Sequence, residues 1–300
     1  MAEGPRKAAV TAVGLALVIA VAVAATAFAG RGSTQSRSAT LTGDGPASAA
    51  AKCPVGTRAT GAGFAVKDAF NPKTDTGAAS MIQSLDRSST RLFSGVFSMQ
   101  RQNQPATTVS TFVRCITSTR GPTAYSQGTA TINPGVISVA NARCTGDFKA
   151  VGGGFRATPA FTPPTGGKGI PIILESRRAG PKTWRTTLLN PNPFAQAPVE
   201  FSYFALCEPA GNPATKTVKK TVVLPPDRRR DVGVKCPRGW HTASGGFRLG
   251  PIADEDIMFA LADRSRPAGS RGWRAGAWSP PEAVEPEGGT LTVYAYCKRN

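Results

Sequence analysis

Apolar and polar residues alternate with a period of two in several short runs. Leu291, Val293, Ala295 and Cys297 fall on one face of such a run, with Thr292, Tyr294 and Tyr296 on the other; Phe201, Tyr203, Ala205 and Cys207 repeat the pattern. Ile257, Phe259 and Leu261 alternate in the same way, and Ile170-Pro171-Ile172-Ile173-Leu174 is a comparable apolar run earlier in the chain. Period two in β-branched and aromatic residues predicts strands. No sustained 3.6-residue apolar stripe follows residue 30, and the 33 Gly and 25 Pro fall largely between the candidate strands, where turns need them. The expected class is all-β.

The runs recur. Cys53, Cys144 and Cys236 are separated by 91 and 92 residues, and Cys115, Cys207 and Cys297 by 92 and 90. The text after the first cysteine of each pair is CPVGTRATGAGF, CTGDFKAVGGGF and CPRGWHTASGGF, so Phe64, Phe155 and Phe247 each follow their cysteine by 11 residues. The second cysteine closes STFVRC, SYFALC and TVYAYC, with Phe93, Trp184 or Trp273 upstream. Self-similarity at a fixed period marks an internal repeat. We expect three copies, at about 52–120, 143–212 and 235–300. The connecting stretches 118–139 and 211–234 carry strand-like pieces at 129–132 and 221–224, which favours one shared domain over 52–300 rather than tandem units.

The glycines before each recurring Phe (Gly61-Ala62-Gly63, Gly152-Gly153-Gly154, Ser244-Gly245-Gly246) lack the following helix or Lys-Ser/Thr pair of a phosphate loop. They read instead as close backbone approach or bulges, with the Phe as a core anchor.

The first 29 residues change the compartment. Arg6 and Lys7 precede an uncharged run from Ala8 to Gly30 that closes on Ala27-Phe28-Ala29, the pattern of a cleaved export signal. The run is also long enough to remain as an N-terminal anchor across about 30 Å of hydrocarbon. Either reading places the rest outside the cytoplasm, at the cell exterior or the outer face of the membrane. Residues 30–51, rich in Ser, Thr, Ala and Gly, read as a flexible linker with room for a weak strand at its far end.

In that compartment an even count of 6 Cys reads as disulfides. Two connectivities respect the repeat: Cys53–Cys115, Cys144–Cys207 and Cys236–Cys297 within copies, or Cys115–Cys144, Cys207–Cys236 and Cys53–Cys297 around a ring. The first is preferred, because each copy carries both partners at its ends.

The C-P-x-G-x-x-x-x-G-G/A-F and aromatic-Ala-x-Cys segments resemble a group of exported actinobacterial proteins of unknown function. They also resemble the vitelline membrane outer layer proteins. The matching residues are Cys53-Pro54, Gly56 and Gly63-Phe64, then Cys236-Pro237, Gly239 and Gly246-Phe247; the middle copy departs, with Thr145 for Pro and Asp147 for Gly. The resemblance implies a pseudo-threefold, β-prism-like arrangement and, by analogy alone, glycan binding or a structural coat.

The chain carries 36 Lys+Arg against 18 Asp+Glu and a single His. One histidine argues against a His-ligated metal site, and neither a metal nor a cofactor is expected. Asp254-Glu255-Asp256 reads as a solvated loop rather than a glycosidase pair. Asp86-Arg87 and Asp263-Arg264, with Ser176-Arg177 between them, read as a recurring salt bridge or strand-edge charge. His241 reads as a turn residue, and Ser244 lacks a nucleophile elbow. The basic positions say more. Arg177, Arg178, Arg228, Arg229 and Arg230 are the candidate binding cations, the last three on an expected exposed turn after Pro225-Pro226, and Trp278 is the candidate exposed aromatic. Such an excess of positive charge biases an exported protein toward anionic cell-wall polymers, glycans or membrane surfaces. No nucleic-acid module is readable. The expected function is a non-catalytic, envelope-associated binding or structural protein; the alternative is a secreted carbohydrate-active or hydrolytic enzyme using Asp/Glu.

Overall fold

The computed structural model describes residues 32–42, 46–67, 80–99, 106–117, 122–158, 171–190, 198–211, 215–250, 260–279 and 289–299. The expected export segment, the acidic run 254–256, Ile170, Ile257 and Phe259 lie outside these residues. All regular elements among the described residues are strands, in three sets of six. The first set is β1 (Ser33–Leu41), β2 (Ala47–Lys52), β3 (Thr57–Val66), β4 (Ser80–Arg87), β5 (Leu92–Met99) and β6 (Thr107–Thr117). The second is β7 (Ala124–Ile132), β8 (Ile137–Arg143), β9 (Phe148–Thr158), β10 (Ile172–Gly180), β11 (Thr183–Leu189) and β12 (Val199–Pro209). The third is β13 (Thr215–Leu224), β14 (Arg228–Lys235), β15 (Trp240–Gly250), β16 (Leu261–Pro267), β17 (Gly272–Ser279) and β18 (Gly289–Arg299).

The copies interleave. Sheet 1 runs β1-β6-β3-β16-β17-β14, sheet 2 runs β13-β18-β15-β10-β11-β8, and sheet 3 runs β2-β5-β4-β9-β12-β7. Each copy therefore gives three strands to one sheet and three to another, and the three sheets close a pseudo-threefold, β-prism-like ring. The copies join within sheets through Phe64 opposite Ser265, Phe155 opposite Leu85 and Phe247 opposite Ser176. The recurring Phe is thus a core anchor, at most 1% exposed in each copy, and also the joint between copies.

Equivalent residues meet at two levels. At the first, β3, β9 and β15 each bulge, leaving Thr60, Val151 and Ala243 unpaired in the ladder. There the Thr60 hydroxyl donates to the Ala243 carbonyl and the Ser244 hydroxyl to the Val151 carbonyl. A Cβ on Gly152 would strike the Thr60 carbonyl, so the close approach needs glycine. Four residues further on, Phe64, Phe155 and Phe247 wall a central cavity of about 10 Å³. Because equivalents converge at both levels, the strands run along the pseudo-threefold axis, and equivalent strand ends lie at one end of the body.

The disulfides are Cys53–Cys115, Cys144–Cys207 and Cys236–Cys297, with Cα atoms 5.6, 5.7 and 5.6 Å apart. Each first cysteine directly follows a strand of one sheet (β2, β8 or β14), and its partner lies on a strand of another (β6, β12 or β18). The three bonds staple the three sheets to one another at the same end. Three disulfides fit an oxidising, extracytoplasmic setting. No helix among the described residues is long and apolar enough to cross a membrane.

Two expectations are corrected. Residues 30–51 are not simply a linker: the strand at the far end is β2, and β1, an edge strand whose polar sequence hides its pairing, precedes it. The stretches between the expected copies likewise supply β7, β8, β13 and β14, so each copy begins about twenty residues before its first cysteine.

The residue before the second cysteine reaches across copies. Arg114, only 2% exposed, donates to the carbonyls of Thr242 and Ser270 and to the hydroxyl of Thr34. Burial pushes its guanidinium pKa down to about 10. The Tyr296 hydroxyl accepts from the backbone N–H of Arg178, and its indole neighbour Trp184 meets it edge-on. Lys298 and Lys149 enclose the buried carboxylate of Glu208, tying the third copy to the second.

Candidate functional site

The sheet edges meet at three corners: β1 with β2, β7 with β8, and β13 with β14. The repeat makes each corner a control for the others. The strands of the first corner carry Arg37 and Lys52, and those of the second carry Arg143 alone. Those of the third carry Lys216, Lys219 and Lys220 on β13 and Arg228, Arg229, Arg230 and Lys235 on β14, with Asp231 as their one carboxylate. All seven cations belong to exposed residues.

Alternation and register divide these side chains. Val218 and Val222 of β13 pack against the core, and Lys216 and Lys220 share their side of the strand. On β14, Val232 and Val234 are buried, and Arg228 and Arg230 share their side. Both pairs are nevertheless exposed. The equivalent positions elsewhere are Ser33, Arg37 and Ala47 at one corner and Ala124, Gly128, Val136 and Ser138 at the other. The third corner is therefore a basic seam on a scaffold that does not require one.

Arg228, Arg229 and Arg230 lie on an edge strand, not on the expected turn; the chain turns just before, where Asp227 adopts φ 52°. Arg229 is partly spent, pairing with the buried carboxylate of Asp263. Asp263 also accepts from Arg264 at 3.0 Å, and Asp231 holds Arg264 at 2.9 Å and Arg274 at 3.3 Å. Trp278 is half-buried on β17, opposite Arg229.

Arg177 and Arg178 sit on β10 of sheet 2, whereas Arg229 and Trp278 sit on β14 and β17 of sheet 1; Arg178 alone of the first pair reaches a seam strand, β13, through its threonines. Arg177 pairs with buried Glu175 and lies 5.4 Å from the Tyr294 ring centroid. Arg178 lies 4.7 Å from the Tyr296 centroid and donates to the hydroxyls of Thr215 and Thr217. Burial lowers its pKa, while Tyr296 and Glu208 oppose the shift. Both arginines are built into the fold.

Asp86, Glu175, Glu208, Asp231 and Asp263 each sit within an ion pair. Asp86 and Asp263 are not equivalent positions: junction register matches Asp86 with Arg177 and Arg266, whereas Asp263 is a bulge residue. Ser244 is buried at the axis with its hydroxyl engaged, and His241 lies on β15 opposite Lys298. All described cysteines are in disulfides, and no metal-ligating cluster occurs among the described residues. The central cavity has room for at most one water. No protein-family model matches the chain, and no curated protein matches its sequence.

Proposed function

We propose that this is an exported, non-catalytic protein that binds anionic cell-surface polymers along the seam between β13 and β14. The supporting observation is the contrast among corners. A ring of three similar corners needs no more charge at one than at another, yet seven cations gather at the third. Like charges so close repel one another, a cost that a polyanion would offset. The cations lie along two edge strands about 3.3 Å per residue in rise, a geometry suited to a linear chain of phosphates or carboxylates. The N-terminal apolar run and the disulfides fit delivery to the envelope, where such polymers occur.

The test is retention on immobilised poly(glycerol phosphate). Retention should fall as salt shortens the Debye length from about 10 Å at 0.1 M. Retention that does not change with salt would refute the reading and point to a neutral glycan held through aromatic side chains.

A further inference from the structure

The end that carries the disulfides has a second basic surface, and this one follows the repeat. The residue before each first cysteine is Lys52, Arg143 or Lys235. The residue two before each recurring aromatic is Arg91, Lys182 or Arg271. These positions adjoin, because the N–H groups of Cys53, Cys144 and Cys236 donate to the carbonyls of Arg91, Lys182 and Arg271. All six are basic, none is buried, and the strands run along the axis, so they form a ring around one end. Arg58, Lys149 and His241 occupy a third equivalent position there. Arg238 and Arg299 add exposed charge, and Val55, 83% exposed, stands at a turn tip among them. Against these the end shows Asp147, while Glu208 is enclosed by Lys149 and Lys298.

We infer that this end docks face-on against an anionic lipid bilayer. A ring around a blunt end matches a plane of headgroups better than a thread of polymer. Position in the chain points the same way. Ser33 pairs with Cys115, so β1 starts at this end, and the apolar run Ala8–Gly30 immediately precedes it in sequence. A chain entering or leaving a membrane through that run brings this end to the surface first. Polybasic surfaces near a membrane gain from the negative potential of anionic lipids within a Debye length. The inference shares the exported placement and Lys235 with the polymer-binding reading but otherwise uses different side chains.

The test uses residues 32–300, which contain every described strand and all three disulfides. Vesicles of phosphatidylglycerol and phosphatidylcholine are compared with pure phosphatidylcholine by co-sedimentation. The protein should bind the anionic vesicles and not the neutral ones. The triple variant Lys52→Gln, Arg143→Gln, Lys182→Gln lies in the first two copies, away from the seam. It should weaken vesicle binding on the order of 100-fold while keeping poly(glycerol phosphate) retention, which also reports intact folding. Unchanged vesicle binding in that variant would overturn the inference, as would no vesicle binding by the wild type. Loss of vesicle binding on reversal of Lys219, Lys220, Arg228 and Arg230, none of which belongs to the ring, would likewise overturn it, by showing that one site takes both anions.

Discussion

Gly153 lies against the indole of Trp184 so closely that a Cβ at position 153 would overlap the ring. Gly245 and Trp273 repeat the relationship, and both indoles donate to a serine, Ser176 at 3.1 Å and Ser265 at 2.9 Å. The first copy changes all three members together: Ala62, Phe93 and Leu85 stand where the others have Gly, Trp and Ser. A smaller ring without an N–H needs neither the glycine nor the hydroxyl. Gly245→Ala, whose Cβ would meet the Trp273 indole first, should therefore cost about 1–3 kcal/mol through overpacking. Adding Trp273→Phe and Ser265→Leu should recover much of that loss in urea unfolding. Additive losses would show that the three positions are not coupled.

Phe155 is 1% exposed and pairs with Leu85 of the preceding copy. Phe155→Ala should destabilise by roughly 3–5 kcal/mol. Because the residue is a joint between copies, the loss should appear in a single cooperative transition. Separate melting of one copy would contradict the interleaved ring.

Each disulfide closes a span of 62, 63 or 61 residues and ties two sheets. Replacing Cys144 and Cys207 together by Ala should cost about 4 kcal/mol by the chain-entropy relation. Denaturant midpoints of the variant and the parent, both with the remaining bonds verified by peptide mapping, provide the check. An equal midpoint would mean that the sheets are held without the staple.

Tyr296 provides a pH test. Burial raises its pKa above the ordinary tyrosine value, partly offset by the Arg178 N–H that its oxygen accepts. The folded state therefore favours the neutral phenol. Its contribution is complete below the unfolded pKa of about 10 and is lost as pH rises above it. Tyr296→Phe should lower stability at neutral pH by about 1–3 kcal/mol, because the Arg178 N–H loses its acceptor. The variant should then lose less stability than the wild type between pH 9 and pH 12. Parallel pH curves would assign the alkaline loss to other groups.

The repeat, the all-β class and the Phe anchors were legible in the sequence because alternation and cysteine spacing survive in every copy; of two repeat-respecting pairings, the preferred one is the one found. The edge strands were legible only in part, as the strand-like pieces at 129–132 and 221–224. Ser33–Leu41 and Thr215–Leu224 sit at corners where both faces are partly wet, so their apolar positions are sparse. The strand-like connecting stretches pointed to one shared domain but not to which copies join, since copies join through junctions as short as Phe64 opposite Ser265 and Ala65 opposite Arg264. At the candidate site, composition flagged Arg228–Arg230 correctly as exposed but not as a strand. It also flagged Arg177 and Arg178, which are consumed by Glu175, Tyr294 and Tyr296. Lys216, Lys219 and Lys220 join the seam only once β13 is known to flank β14.

The central claim is that the corner between β13 and β14 binds polyanions, and charge reversal there tests it most directly. Lys219→Glu, Lys220→Glu, Arg228→Glu and Arg230→Glu leave the Arg229–Asp263 pair intact and alter only exposed residues. The measurement is the affinity for poly(glycerol phosphate) at 0.05 and 0.2 M salt for the variant and the wild type. Strong, salt-sensitive binding is expected of the wild type and should be lost in the variant, with the unfolding midpoint little changed. Equal affinity of the two proteins at both salt concentrations would contradict it.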